Sequence, residues 1–194
     1  MAPQLTGITV NGHTFTMNDG FPNTGFTGAE FSLTINGAAS DYTWSSSASS
    51  WAPVDSVGKV SFTQKGNSSP VTITATPKGG GTPLTYIFTV GSWFINNGST
   101  LMNWANASTW CTNQSLSQPT RGELTRGSGT RAVGSLWSEW GSMGNYSGSG
   151  FDNDGYWTSE LYNIGAHHFV SLYNGNVSSY SDLNDDYVVC RQGL

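Results

Sequence analysis

Alternation of apolar and polar residues dominates the first ninety positions of the chain. From Val71 to Thr76 the side chains alternate with a period of two, and Tyr86, Phe88 and Val90 repeat this pattern. Such a period places one face of a β-strand against a core and the other toward solvent. Runs of Gly, Pro, Asn and Ser separate the segments, as expected for the turns of a β-sandwich. The predicted strands are Thr6–Val10, Glu30–Ile35, Tyr42–Ser45, Val54–Phe62, Val71–Ala75 and Leu84–Val90.

Helical spacing replaces the alternation near Trp93. Apolar residues recur at intervals of three and four, which predicts a first helix over Ser99–Cys111 with Cys111 on its inner face. Ser99 or Thr100 is the expected N-cap, because a hydroxyl oxygen can accept a hydrogen bond from the first helical turn.

A second helical start follows Pro119. Thr120 and Glu123 have the spacing of a capping box, in which each side chain accepts a hydrogen bond from the backbone of the other. Glycines interrupt the segment, and the helical spacing resumes with Leu136, Trp137 and Trp140.

Strands return in the last forty residues. Asn174-Gly175 predicts a two-residue hairpin turn, since both residue types tolerate positive φ angles. Two helices followed by a small antiparallel sheet define an α+β unit. The predicted strands are Tyr156–Glu160, His168–Tyr173, Asn176–Tyr180 and Tyr187–Arg191.

The change of pattern predicts two domains, a β-sandwich over residues 1–91 and an α+β domain over residues 92–194. Almost no linker separates them near Val90–Trp93. We therefore expect the two domains to pack rigidly against each other.

Charge and composition exclude several classes of partner. The net charge is −5 and only seven Lys and Arg occur, without a basic run, so a nucleic-acid partner is not expected. No apolar stretch reaches the length of a membrane span, and we expect no membrane contact by this region. The chain begins in polar sequence without a signal peptide, and we interpret it as a portion of a longer exported protein.

The two cysteines, Cys111 and Cys190, lie far apart along the chain. No CxxC motif or Cys/His cluster accompanies them, so the sequence predicts no zinc site and no other cofactor. A disulfide is the simplest interpretation, with two isolated buried thiols as the alternative. Closing a loop of this length contributes roughly 4–5 kcal/mol in the chain-entropy model.

An ordered set of motifs covers nearly all of residues 93–194. The set comprises Trp104-x2-Ala107-x3-Cys111, Gln118-Pro119-Thr120-x2-Glu123-Leu124, Trp140-Gly141-x3-Asn145-Tyr146, Tyr156–Glu160, His168–Leu172, Asn174–Val177 and Tyr187–Cys190. In this order the motifs resemble the C-terminal domain of the invasin and intimin family, a C-type-lectin-like domain. In the first half, Val54–Val60 and Val71–Ala75 resemble the immunoglobulin-like repeats of bacterial surface proteins.

The resemblance implies the host-recognition tip of a Gram-negative outer-membrane adhesin. Members of the family are anchored through an N-terminal outer-membrane β-barrel, which would lie upstream of this chain together with further immunoglobulin-like repeats. Their tips bind a host protein: an integrin for invasin, a bacterially delivered receptor for intimin, and immunoglobulins for some relatives. Passage through an oxidising periplasm agrees with a Cys111–Cys190 disulfide.

Catalytic and metal-binding interpretations receive little support from the sequence. Asp152-Asn153-Asp154-Gly155 resembles part of a calcium loop but lacks the terminal Glu, so an ordinary turn is preferred. His168 is expected to begin a strand and His167 to be exposed, on opposite faces. No Gly-x-Ser-x-Gly motif occurs, and Glu123, Glu139 and Glu160 are too scattered for a carboxylate pair. We expect no enzymatic activity.

Two sets of residues are candidates for receptor binding. The acidic loop with Asp182, Asp185 and Asp186 is either a recognition loop or a solvated turn. Tyr146, Phe151 and Tyr180 lie in or beside Gly- and Ser-rich loops, where exposed aromatics suit protein binding.

Two further functions remain open from the sequence. Trp and Tyr side chains could form a carbohydrate-binding module. The motifs of calcium-dependent sugar binding, such as Glu-Pro-Asn, are absent, so this module would not use calcium. The chain could also be a structural cap of a surface fibre.

Overall fold

The computed structural model describes residues 2–194, and over this range the chain forms mainly β-strands with a few short helices. The α-helices are α1 (Trp104–Asn113), α2 (Arg121–Leu124) and α3 (Leu136–Trp140). The strands are β1 (Leu5–Val10), β2 (His13–Phe15), β3 (Thr24–Gly25), β4 (Glu30–Ile35), β5 (Tyr42–Ser46), β6 (Lys59–Ser61), β7 (Val71–Pro77), β8 (Leu84–Phe88), β9 (Ser92–Asn96), β10 (Gly155–Asn163), β11 (Ala166–Ser171), β12 (Val177–Ser181) and β13 (Val189–Gly193).

Residues 2–91, here called the N-terminal half, contain two antiparallel sheets with strand orders β2-β1-β4-β6 and β5-β7-β8. The alternation in the sequence explains their burial: in β7, Val71, Ile73 and Ala75 are buried and the threonines between them are more exposed. Inward side chains of both sheets belong to one hydrophobic core. This is the predicted immunoglobulin-like sandwich.

One strand predicted in this half is wrong. The segment Val54–Phe62 is a turn followed by the short β6, and Val54 forms an isolated bridge back to Val60. The Asp55 carboxylate accepts hydrogen bonds from two backbone amides of the turn, and Gly58 has a φ angle of 84°. Local hydrogen bonds to a side chain therefore favour a turn over an extended strand.

Residues 92–194, the C-terminal half, combine the helices with the antiparallel sheet β10-β11-β12. The capping box predicted for Thr120 and Glu123 is present and begins α2. The helical spacing of Leu136 and Trp140 corresponds to α3. This arrangement is the α+β, C-type-lectin-like fold that was predicted.

The start of the first helix was predicted too early. Helix α1 begins at Trp104, and Asn103 is its N-cap, with its side-chain oxygen 3.0 Å from the backbone nitrogen of Asn106. The residue before the cap, Met102, is paired in a β-bridge with Asp186. That bridge keeps this segment extended, so neither Ser99 nor Thr100 caps the helix.

The hairpin predicted at Asn174-Gly175 is present, since these residues lie between the paired strands β11 and β12, but its loop is longer than two residues. Between β11 and β12 the chain forms a longer loop over residues 172–176, because Leu172 leaves the sheet and is buried in the core. The turn of only two residues joins β10 to β11 at Ile164 and Gly165, and Gly165 has a φ angle of 78°.

The cysteines form the predicted disulfide. Cys111 in α1 and Cys190 in β13 are bonded across 79 residues with a Cα–Cα distance of 5.4 Å. Both are fully buried, in a small core that also contains Ala107, Trp157 and Val188. The bond therefore joins the first helix of this half to its last strand.

A fourth sheet, in the order β13-β9-β3, contains strands from both halves. Strand β3 of the N-terminal half pairs parallel with β9, and β9 pairs antiparallel with β13. The backbone hydrogen bonds of this sheet run directly from one half into the other. The region where the halves meet is called the junction below.

Candidate partner-binding site

Two of the predicted receptor-binding aromatics, Tyr146 and Phe151, are buried at the junction. Their exposed fractions are 8% and 7%. Both rings pack edge-on against Phe26 of the N-terminal half, at centroid distances of 5.1 and 5.4 Å. The Tyr146 hydroxyl also donates a hydrogen bond to the carbonyl of Trp140. The predicted exposure of these two residues is therefore wrong, because the other half of the molecule covers them.

Glu139 is a fully buried carboxylate at the same junction. Its Oε1 accepts hydrogen bonds from the amides of Asn23 and Thr24 in the N-terminal half, at 2.8 and 3.1 Å. Its Oε2 accepts one from the amide of Gly134 at 2.7 Å. Burial raises the pKa of Glu139 to about 7, although the amide donors oppose the shift. The carboxylate thus links the two halves and is not available to a partner.

Arg131 completes this polar contact between the halves. Its guanidinium donates hydrogen bonds to the carbonyls of Val10 and Asn11, both at 3.0 Å, and to the carbonyls of Ser138 and Glu139. The guanidinium of Arg131 is therefore used in hydrogen bonds to backbone carbonyls, two of which belong to the N-terminal half.

The tip of the β10–β11 hairpin has the opposite character, because its apolar side chains face solvent. Ile164 is 100% exposed, and Leu161 and Tyr162 are 60% and 56% exposed. In the neighbouring loop Leu183 is 87% exposed. Exposing these side chains to water is unfavourable, and such clusters mark surfaces that other molecules cover.

The loop of residues 182–186 connects this hairpin tip to a groove. Asp182 lies at the tip, where its amide donates a hydrogen bond to the carbonyl of Gly165. Its carboxylate lies 2.7 Å from Nδ1 of His167. His167 is buried and stacks on Trp104 at a centroid distance of 3.6 Å. His167 was predicted to be exposed; the prediction is wrong, because α1 covers its face of the strand.

The groove itself has a volume of about 460 Å³. Two of the predicted acidic residues, Asp185 and Asp186, line it together with Tyr180, which is 45% exposed. Of the six candidate receptor-binding residues, these three converge on one site. Its other side chains come from Leu101, Asp154, Phe169, Ser178, Ser179 and Tyr187.

The hairpin tip, the loop of residues 182–186 and the groove are together called the outer face. Its apolar members were not predicted. Ile164 lies between the predicted strands Tyr156–Glu160 and His168–Tyr173, and Leu183 stands alone among polar residues, so neither belongs to a periodic pattern. The turn propensity of Asn163 and Gly165 around Ile164 was the available clue, since a turn exposes its central side chains.

Across residues 2–194, no helix has the length and apolarity needed to cross a membrane. Within the same range, no three His, Cys, Asp or Glu side chains lie together as metal ligands would.

The fold and the outer face together define a class of protein: an immunoglobulin-like sandwich continuous with a C-type-lectin-like unit, as in the bacterial adhesins. Residues 6–88 match the family model for domain 4 of invasin. The chain is 39% identical over 180 residues to the inverse autotransporter adhesin YeeJ of Escherichia coli K12, and 33% identical over 162 residues to invasin of Yersinia enterocolitica. The chain belongs to the invasin and intimin family of adhesins.

Solved structures give the same result. The crystal structure of invasin, described as a bacterial integrin-binding protein, superimposes with a TM-score of 0.88 at 29% identity over 100% of this chain and 40% of that one. A C-terminal fragment of intimin, solved with the intimin-binding domain of its receptor Tir, gives a TM-score of 0.71 at 20% identity, over 98% of this chain and 64% of the fragment. At 20% identity, the match to intimin shows a similar fold.

The alignments cover most of this chain but a small part of the relatives. They include 90% and 81% of the present sequence, and 8% and 19% of the lengths of YeeJ and invasin. The relatives therefore contain a large part that this chain does not represent.

Proposed function

We infer that this chain is the host-recognition portion of a bacterial surface adhesin and that it binds a host protein through the outer face. The observation that carries this proposal is the cluster of exposed apolar side chains at the hairpin tip and in the adjoining loop. Ile164 and Leu183 are the two most exposed large apolar residues among those described. When a partner covers exposed apolar side chains, they leave water and the free energy of the complex is lowered.

A binding role, not a catalytic one, agrees with the family. The relatives are adhesins, and invasin is described as integrin-binding. For this chain we propose a host-protein partner, either a cell-surface receptor such as an integrin or a soluble immunoglobulin. We also propose a division into domains at residues 91 and 92, with the outer face in the second domain, and display outside a Gram-negative cell.

The acidic residues of the loop 182–186 also favour the outer face as the binding surface. Asp182 and Asp185 extend the apolar tip with negative charge, and the side chain of Asp182 is 26% exposed. Carboxylates beside exposed apolar groups favour partners whose surface is complementary, with basic groups around an apolar patch.

A glycan partner is the second candidate. Tyr180 is 45% exposed and lies with Tyr187 at the groove, and aromatic rings in a shallow groove can stack on sugars. The cell-binding experiment below separates this candidate from a protein receptor.

The proposal is tested by binding the labelled, oxidised chain to intact human epithelial cells, with and without prior trypsin treatment of the cells. Saturable binding that trypsin abolishes supports a protein receptor. Saturable binding that survives trypsin favours the glycan. Absence of binding overturns a cell-surface receptor and directs the search to soluble host proteins such as immunoglobulins.

The surface is tested with the double variant Ile164→Ser, Leu183→Ser. We expect it to lower binding at least about tenfold, as loss of a central apolar contact does at protein interfaces. The matched control is Val57→Ser, Ile87→Ser, which changes two residues of the N-terminal half that are 56% and 60% exposed. Equal binding by both double variants would place the contact elsewhere.

A further inference from the structure

The groove of the outer face contains negative charge that no basic side chain of residues 2–194 neutralises. Its carboxylates are those of Asp154, Asp185 and Asp186, and no Lys, Arg or His lines it. Its walls include the rings of Phe169, Tyr180 and Tyr187. Charge at the floor and aromatic rings at the sides are the features of a receptor for an organic cation.

Asp186 is held rigidly at the floor. Its amide and carbonyl both form hydrogen bonds with Met102, each at 3.0 Å, and the residue is only 8% exposed. A rigid backbone fixes the direction of the carboxylate before any ligand arrives.

One oxygen of this carboxylate has no donor. Oδ1 accepts a hydrogen bond from the amide of Tyr187 at 3.0 Å, and no donor within residues 2–194 reaches Oδ2. A Cβ atom placed on Gly155 would lie 2.7 Å from Oδ2, so the absence of a side chain at this position keeps Oδ2 open to the groove.

The environment of Asp186 disfavours its charge in the free protein. Burial raises the pKa of this carboxyl to about 7, the amide of Tyr187 opposes the shift, and the charge of Asp154 adds to it. A cation in the groove would offset part of this penalty, because its charge would attract that of the buried carboxylate.

We propose that the groove receives a basic side chain, lysine or arginine, presented by the protein partner of the outer face. The identity of that partner as a protein rests on the function proposed above. The charged end would lie against Oδ2 of Asp186, its methylene groups would pack on Leu101 and Phe169, and the tyrosine rings would flank the cation.

The direct test is a titration of the 15N-labelled, oxidised chain with N-acetyl-arginine methylamide and with N-acetyl-lysine methylamide. We expect both to shift the amide signals of Gly155 and Tyr187, and the stronger of them identifies the preferred side chain. N-acetyl-citrulline methylamide, which has the shape of the arginine compound without its charge, should leave both signals in place. Equal shifts from the citrulline compound, or no shift from either basic compound, would overturn the proposal.

Asp186→Asn removes the charge and keeps the shape of the floor. We expect it to weaken binding of the basic compounds by about tenfold or more, since hydrogen bonds to charged groups are the strong ones. Asp41→Asn is the matched control, because it removes the same charge from an exposed position in the N-terminal half, away from the groove. If both variants bound the basic compounds equally weakly, the net charge of the protein would explain the effect, and a defined site in the groove would be contradicted.

Gly155→Ala tests the site without changing charge, since the added methyl group would meet Oδ2. We expect it to abolish binding of the basic compounds. The unfolding temperature of each variant is measured alongside, and Asp186→Asn should not lower it, because a neutral amide avoids the cost of burying charge.

A titration with calcium chloride tests the alternative of a metal site. If calcium shifted the amide signals of Gly155 and Tyr187 at lower concentrations than the basic compounds require, the groove would be assigned to a metal and the proposal would be overturned.

The cell-binding experiment separates this inference from the proposed function. If the basic compounds bind and Asp186→Asn also lowers binding to cells, the partner inserts a basic side chain. If the compounds bind but Asp186→Asn binds cells as the unchanged protein does, the assignment to the partner is wrong. If the unchanged chain binds no cells, the proposed receptor fails, while the titration still decides whether the groove accepts a cation.

Discussion

The junction and the outer face each bury a carboxylate, and they satisfy it in different ways. Burial raises the pKa of both Glu139 and Asp186 to about 7. At the junction, both oxygens of Glu139 accept backbone hydrogen bonds from two halves of the chain. At the outer face, Asp186 has one amide donor and an oxygen that opens into a groove. Backbone amides offset part of the desolvation cost of Glu139, whereas one oxygen of Asp186 remains without a donor.

Aromatic side chains repeat this contrast. Trp140 at the junction is fully buried among the rings of both halves, whereas Tyr162 and Tyr180 at the outer face are about half exposed. An aromatic residue therefore indicates a binding surface only where the rest of the molecule leaves its ring exposed. The following predictions test this contrast through the free energy of unfolding, which urea denaturation measures.

The largest loss is expected at the centre of the junction. Trp140→Ala removes a ring that contacts Phe21 and Phe26 and an indole N–H that donates to the hydroxyl of Thr24. We expect a loss of about 4 kcal/mol, as for other buried large-to-small changes. The partly exposed Trp110 serves as the control, and Trp110→Ala should cost clearly less. A loss below about 1 kcal/mol for Trp140→Ala would contradict a shared core at the junction.

A slightly smaller loss is expected for Glu139→Ala. The change leaves the amides of Asn23, Thr24 and Gly134 without an acceptor, and we expect a cost of about 3 kcal/mol. Glu30→Ala is the control, since that carboxylate is half exposed and pairs only with Lys59; it should cost about 0.5 kcal/mol or less. Similar costs for the two variants would show that Glu139 does not join the halves.

The third prediction concerns pH. The folded pKa of Glu139 and Asp186 lies above the unfolded value, so their stabilising effect is fully present below about pH 4 and is lost as the pH rises through about 7. We expect each of these carboxyls to lower the free energy of unfolding by roughly 2–3 kcal/mol between pH 5 and pH 8. Asp186→Asn should reduce this slope, and Glu139→Gln should reduce it independently.

Other titratable groups change the stability at other pH values or in the opposite direction. The lowered pKa of Glu160 favours the folded state above its titration range at acidic pH. The lowered pKa of His13 opposes the trend below about pH 6.5. The difference between the unchanged chain and each variant therefore isolates the two carboxyls. A slope that neither substitution alters would refute their raised pKa values.

The smallest change in stability is expected at the hairpin tip. Ile164→Ser should alter the free energy of unfolding by about 0.5 kcal/mol or less, because its side chain is fully exposed. Combined with Leu183→Ser, the same change should lower cell binding strongly. A large loss of stability would mean that the tip packs against the molecule itself.

The sequence predicted elements whose cause is local. The alternation in Val71–Ala75 and the capping box of Thr120 and Glu123 both involve residues close in the chain, and both are present. The disulfide was also predictable, because only two cysteines occur and the family resemblance implied passage through an oxidising compartment.

Features that depend on distant residues could not be predicted in this way. Tyr146 and Phe151 lie among Gly and Ser, which indicates exposure, but Phe26 covers them from more than a hundred residues away. Asp186 looked like part of a solvated acidic loop, yet its bridge to Met102 draws it into the protein. The three predicted residues that reach the groove were identified by residue type, and their convergence became visible only in the fold.

The sheet shared by the two halves has a consequence for the thermodynamics of recognition. Strands β3, β9 and β13 fix the direction of the outer face relative to the sandwich that supports it. Two units on a flexible tether would lose orientational entropy when a partner immobilised one against the other. Here that entropy is already lost when the chain folds, so a larger share of the contact energy with the proposed partner would be expressed as affinity.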